Sequence, residues 1–172
     1  MPRIVVVDVE TTGMSVQRGG RVIEIGAVAV AGGEIVGEFD TLIDSGAAIG
    51  YGAFRVHGIS DEMLAGKPAP HDVWQWFREF VGIAPLVAHN APFDSAFVRH
   101  ELSLLGMGLP NPWHCTVRLA RSRLPHLANH RLETVYRHLF GEIPGGAQLH
   151  RALDDARMAA RVWVELEGNH EI

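Results

Sequence analysis

Ile4-Val5-Val6-Val7-Asp8-Val9-Glu10-Thr11-Thr12-Gly13 is the stretch on which the fold turns. Ile4 to Val9 is rich in β-branched residues with little polar interruption, the composition of a central strand covered on both faces. The run is far too short to cross a membrane and lacks a signal-peptide cleavage region, so it reads as a strand that begins a fold. Asp8 and Glu10 stand two apart at its C-terminal end, where side chains two apart share one face of a sheet. Two carboxylates on a buried face repel, and keeping them there is costly unless a cation or a proton satisfies them. Taken alone, an Asp-x-Glu is at least as compatible with a strand that ends at Val7 and two solvated acids. Thr11-Thr12-Gly13 offers hydroxyls, backbone N–H groups and a flexible glycine beside those acids, as an ordinary turn also would.

Working outward, Val22 to Val30 and Glu34 to Ile43 form a hairpin about the Ala31-Gly32-Gly33 turn. From Pro70 the period becomes helical, with Val73, Trp76, Phe77 and Phe80 on one face through about residue 81. Leu86-Val87-Ala88 is a short buried strand. A helix over about 92–105 follows, with Asn90 as its cap, Pro92 in its first turn and Gly106 and Gly108 beyond its end. Trp113 to Thr116 is a further strand, and helical patterns cover about 117–123, 131–140 and 152–167. Three leading strands, then alternating helices and short strands, predict an α/β fold with a mixed central sheet of about five strands flanked by helices. At 172 residues and 47% hydrophobic composition the chain is expected to be one domain over 1–172.

Two further segments bring acids to the same kind of position. In Leu86-Val87-Ala88-His89-Asn90-Ala91-Pro92-Phe93-Asp94, a strand delivers the chain to a helix start, and Asp94 falls where the helix dipole favours an anion. Taken alone, Asp94 is an ordinary N-terminal helix acid. In His150-Arg151-Ala152-Leu153-Asp154-Asp155, a helix holding both His150 and Asp155 would turn them about 140° apart. His150 is therefore expected in the loop before the helix, with Asp155 in its first turns and Ala152, Ala156 and Ala159 on or beside the Asp155 face. Four carboxylates without cysteine make a hard, oxygen-rich set suited to two Mg²⁺ or Mn²⁺ ions rather than structural zinc. Such a pair of ions can activate a water and stabilise the leaving oxygen of a phosphodiester, and a histidine is a natural base for that water's proton.

The net charge of −5 decides little, because bound cations would offset several acids. Its distribution says more. Between Cys115 and Arg161 stand eight arginines and four acids, a basic half able to follow a phosphate backbone, although solvated helix faces account equally well for any one arginine. The single cysteine, Cys115, excludes an internal disulfide and fits a reducing, cytoplasmic setting. His71, His100, His126, His130 and His138 have no defensible partner spacing. Trp74, Trp76 and Trp163 fit helix packing, and Glu24 is an unexplained acid inside an apolar strand.

The order Asp-x-Glu, His-Asn-Ala-x-Phe-Asp and His-x-x-x-x-Asp, with Val56-His57-Gly58-Ile59-Ser60-Asp61-Glu62 between, resembles the DEDDh-type, DnaQ-like 3′–5′ exonucleases of ribonuclease H-like fold. Within that family it is most similar to the proofreading epsilon subunits of bacterial DNA polymerase III, over roughly residues 3–167. The resemblance implies that Asp8, Glu10 and Asp155 hold the metals, that Asp94 contributes directly or through water, and that His150 is the general base. It implies further that the Thr11 backbone engages the 3′-OH beside Gly13, that Met14 wedges against the last bases, and that His57 and Asn90 line the nucleotide pocket. The products would be nucleoside 5′-monophosphates from single-stranded or frayed DNA. The family's polymerase subunits carry a further tail, which is not expected here and puts a stable polymerase partner in doubt. An exoribonuclease of the ribonuclease T or oligoribonuclease kind would use the same ligands, and a silent nucleic-acid-binding module would keep the fold without the chemistry.

Overall fold

In the computed structural model, which describes residues 2–168, the first strand extends beyond the expected Val9, as β1 (Ile4–Thr11). Its odd and even residues serve two separate cores. Val5, Val7 and Val9 enter a cluster with Val73, Trp74, Phe77, Phe97 and Val98, while Ile4 and Val6 enter another with Ala156, Ala159 and Ala160. Period-two alternation therefore makes β1 apolar on both faces because both faces are covered. Asp8 and Glu10 continue the even row.

β2 (Val22–Ala31) and β3 (Glu34–Leu42) form the expected hairpin, with β2 antiparallel to both neighbours. β4 (Leu86–Ala88) and β5 (Trp113–Cys115) add on the other side, parallel to β1, giving the order β3-β2-β1-β4-β5. The sheet is mixed and five-stranded, as expected.

Helices cover both faces: α3 (Pro70–Val81) and α4 (Ala91–Leu104) on one side, α7 (Ala152–Gly168) on the other, with α5 (Thr116–Arg123) and α6 (Leu132–Phe140) packed beyond α7. No described helix is long and apolar enough to cross a membrane. Cys115 is a half-buried free thiol.

The sequence pattern missed two short helices, α1 (Tyr51–His57) and α2 (Asp61–Leu64). Seven and four residues are too few to form a helix by local propensity. Tertiary contacts hold them, with Ile59 and Leu64 buried against Ile23. The phase of α3 also differs from expectation: Val73, Trp74, Phe77 and Val81 are buried, and Trp76 is 46% exposed. Trp76 lies two residues, or about 200°, from Trp74 and so on the far side of the helix. Trp74 and Trp163 do pack in cores.

Candidate active site

The even rows of β1 and β2 form one surface, on which Asp8 pairs with Gly26 and Glu10 with Glu24. Onto it the N-terminus of α7 docks at very short range. A Cβ added at Gly26 would lie 2.2 Å from the Leu153 nitrogen and 2.3 Å from the Ala152 carbonyl carbon, so only glycine admits the helix here. Glu24, buried to 1% exposure, fixes the same junction. Its carboxylate accepts hydrogen bonds from Arg151 at 2.6 and 2.9 Å and from the Ala152 backbone N–H at 3.0 Å, the latter an unpaired donor of the first helical turn. The acid that the sequence left unexplained thus seats the helix bearing Asp155. An arginine directly after His150 was the available signal, whereas the pairing of Glu24 with Glu10 belongs to the β1–β2 register that only the fold sets.

This docking brings one carboxylate oxygen each of Asp8, Glu10 and Asp155 within 4.8 Å of one another, from two elements about 145 residues apart in the chain. Burial, then the charges of Asp94, Glu10 and Asp155, raises the Asp8 pKa well above the usual carboxylate range. Glu10 is pushed to about 9, chiefly by burial and Asp155, against a smaller opposing pull from Arg151. Burial pushes Asp155 to about 6, partly countered by His150. The Asp155 Oδ1 is sealed from solvent without a hydrogen-bond partner, while Oδ2 accepts the His150 backbone N–H at 3.2 Å. A part-buried, mutually repelling set of hard oxygens with one orphaned atom fits a divalent cation.

Asp94 stands apart from that trio. It lies in the first turn of α4, 3% exposed, and its charge is felt at both Asp8 and Glu10. Burial raises its pKa to about 8, opposed by backbone N–H donors of Asp94 itself and Val9. Asn90 occupies the N-cap position without making the expected side-chain cap. Its φ of +80° shows that it serves as a left-handed turn instead, a conformation asparagine tolerates. His150 precedes α7, as its rotation from Asp155 demanded, at φ +61° and with Nε2 4.0 Å from Glu133 Oε1.

The remaining expected residues gather at the end of β1. Thr11 is buried and its hydroxyl donates to the Gly13 carbonyl at 2.8 Å. A Cβ at Gly13 would meet nothing within 4 Å, and Met14 is 83% exposed. His57 has both ring nitrogens engaged: Nδ1 accepts from the Ile59 N–H at 3.0 Å, so Nε2 donates to the Thr11 carbonyl at 3.1 Å. Nε2 thereby fixes the Thr11 carbonyl, at the end of β1 where the expected nucleotide pocket lies. Burial lowers its pKa, consistent with a neutral ring.

Comparison with known proteins bears on what this arrangement does. The family model described as Exonuclease matches residues 5–163. The chain is 38% identical to the DNA polymerase III subunit epsilon of Rickettsia felis, over 98% of this chain and 76% of the relative. It is 41% identical to the PolC-type DNA polymerase III of Clostridium perfringens over 92% of this chain, which amounts to only 11% of that relative. Among solved structures, Exonuclease X in complex with 5′-overhanging duplex DNA superposes with a TM-score of 0.79 at 28% identity, covering 98% of this chain and 93% of that one.

Proposed function

Given that the chain belongs to the exonuclease family, as a DEDDh-type, DnaQ-like 3′–5′ exonuclease, we propose that it releases nucleoside 5′-monophosphates from the 3′ end of single-stranded or frayed DNA. Asp8, Glu10 and Asp155 would hold two divalent cations, Mg²⁺ or Mn²⁺, with Asp94 contributing directly or through water. The convergence of three part-buried carboxylates, one with an orphaned oxygen, carries this proposal. Bound there, the cations would supply Lewis acidity towards the scissile phosphodiester and its attacking water.

The chain's own residues do the rest. His150 takes the proton of the attacking water from a loop position before α7, where its ring is half-exposed. Its backbone N–H holds Asp155 Oδ2, so base and ligand are set by one short segment. The Thr11 carbonyl is held by His57 and its hydroxyl by Gly13, leaving the Thr11–Gly13 backbone as a rigid seat for the terminal sugar. Open space over Gly13 and the exposed Met14 leave room for the last base, against which Met14 wedges. Asn90 lines the other side of the nucleotide pocket.

The test is a degradation assay on matched 5′-labelled DNA and RNA strands with Mg²⁺, Mn²⁺ or EDTA. A ladder shortening from the 3′ end, faster on DNA and abolished by EDTA, is expected. A clear preference for RNA would overturn the substrate assignment, and no release with either ion would favour a silent binding module.

A further inference from the structure

A groove of about 550 Å³ adjoins the candidate site: His150, Asp155 and Asn90 line it together with Arg121 and Arg131. Of the chain's fourteen arginines, five have guanidinium groups committed within the protein, and the other nine, Arg121 and Arg131 among them, have no such partner among the described residues. Arg3 is committed to the carbonyls of Phe80 and Val81, Arg21 to Glu101 and Arg151 to Glu24. Arg157 is committed to Glu38 and Asp154, and Arg161 to the Tyr136 hydroxyl. Among the described residues, the guanidinium groups of Arg121 and Arg131 have neither a hydrogen bond nor an ion pair.

The wall that presents them is firmly built. Asn129 Oδ1 accepts the Arg131 backbone N–H at 3.1 Å and the Thr134 hydroxyl at 2.8 Å, closing the start of α6. His130 Nε2 donates to the Leu124 carbonyl at 2.9 Å, which pins the α5–α6 connection to the end of α5. The His130 carbonyl accepts from His89 Nε2 at 2.9 Å, and His89 Nδ1 accepts the Thr116 hydroxyl at 2.7 Å. The end of β4, the start of α5 and the start of α6 are thereby tied together. Glu133 is the only acid besides Asp155 lining the groove, and its carboxylate faces the His150 ring.

Two unpaired guanidinium groups on a wall tied down by hydrogen bonds, in a groove that His150 and Asp155 also line, match a phosphate backbone in charge. An enzyme that cuts at a 3′ end has one nucleotide on one side of the scissile bond and the whole remaining strand on the other. The Thr11–Met14 end seats the terminal nucleotide, so the strand must leave by another path. We propose that this groove carries the sugar-phosphate backbone of the strand being degraded, with Arg121 and Arg131 each holding a phosphate on the 5′ side of the scissile bond. Such contacts set register without reading sequence. This assignment rests on the exonuclease function proposed above.

Equilibrium binding of a fluorescein-labelled 12-nucleotide single strand to the full chain in EDTA, followed by anisotropy over a series of salt concentrations, tests it without any turnover. Arg121→Gln and Arg131→Gln should each reduce the slope of log Kd against log salt by about 0.7, the value for one phosphate contact to a single strand. Together they should weaken binding on the order of tenfold at moderate salt, for DNA and RNA alike. Arg78→Gln removes the same charge beside Gly82 and Pro112, at the opposite end of the sheet, and should change neither quantity. Unaltered slopes in the groove variants, or an equal loss in Arg78→Gln, would overturn the groove. Strand binding without nucleotide release in Mg²⁺ or Mn²⁺ would defeat the exonuclease assignment, while the slopes would still decide the groove.

Discussion

Two regions of the molecule bury carboxylates, and they treat them in opposite ways. At the scaffold junctions, Glu24 accepts from Arg151 and the Ala152 N–H, and Glu101 accepts from Arg21 at 2.8 and 2.9 Å and from the Val22 N–H at 2.9 Å. Each is about 1% exposed, each has one arginine, and each satisfies one backbone donor at the edge of an element. A few ångströms along the same even row, Asp8 and Glu10 face Asp155 with no arginine of their own. The protein can therefore neutralise a buried acid when the acid is structural. That it does not do so at the trio is the contrast on which the proposed metal site rests.

Replacing a member of the trio tests the difference hardest. Asp8→Asn should lower nucleotide release at least about a thousandfold, which corresponds to roughly 4 kcal/mol of transition-state stabilisation. In EDTA the same variant should melt no lower than the parent, because burial and the neighbouring acids already disfavour the charged form of Asp8, and Asn carries none. A melting temperature several degrees lower would show that Asp8 is structural after all.

The saturated acids should behave in reverse. Glu24→Gln and Glu101→Gln each leave a partly buried arginine without its counter-charge and should cost about 3 kcal/mol, read from denaturant unfolding. They separate in catalysis. Glu24 seats the segment carrying His150 and Asp155, so Glu24→Gln should lower kcat at saturating strand, and Glu24→Asp should restore part of it. Glu101→Gln should leave kcat close to the parent value. Equal kcat losses would mean that the junction at Glu24 has no special hold on the site.

Metal addition should sharpen the contrast through pH. Asp155, Asp94 and Glu10 have pKa values raised to about 6, 8 and 9, so their contribution to stability is greatest when they are protonated and is lost as pH rises through those values. Metal-free protein should weaken from pH 5.5 to 9. Mg²⁺ or Mn²⁺ at a hundredfold excess over its Kd should restore about 2.7 kcal/mol at the alkaline end and much less at pH 5.5. An equal thermal shift at both pH values would contradict the assignment.

The smallest effect has the opposite sign. His89 is held neutral in the fold, with its pKa pushed by burial from 6.5 to about 4. A depressed histidine contributes stability that is present above about pH 6.5 and lost as pH falls towards 4. Between pH 7 and 5 it should account for about 2 kcal/mol, visible as acid destabilisation that His89→Gln flattens.

Much of this was legible in the chain itself. The alternation of β1, the hairpin glycines, the strand-to-helix entry at Asp94 and the exclusion of His150 from α7 all follow from periods of 2 and 3.6 and from turn chemistry, which act between near neighbours. The short helices α1 and α2 were illegible because their own propensity does not form them. The direction of Trp76 was misjudged because residues 73, 76, 77 and 80 and residues 73, 74, 77 and 81 are both helical stripes, and only the neighbour that covers the helix chooses between them.

The sequence by itself determined which residues are acids, which of them share a strand face, and that one apolar run begins a two-sided sheet. Only the tertiary structure decided that Glu24 is scaffold, paired with Arg151, while Glu10, its cross-strand partner, faces Asp155 instead. The same structure separates Arg151, committed to Glu24, from Arg121 and Arg131, which are free to meet a strand. Charge is a property of a residue, but whether that charge is already neutralised depends on what an approach such as that of α7 to Gly26 brings within hydrogen-bond range.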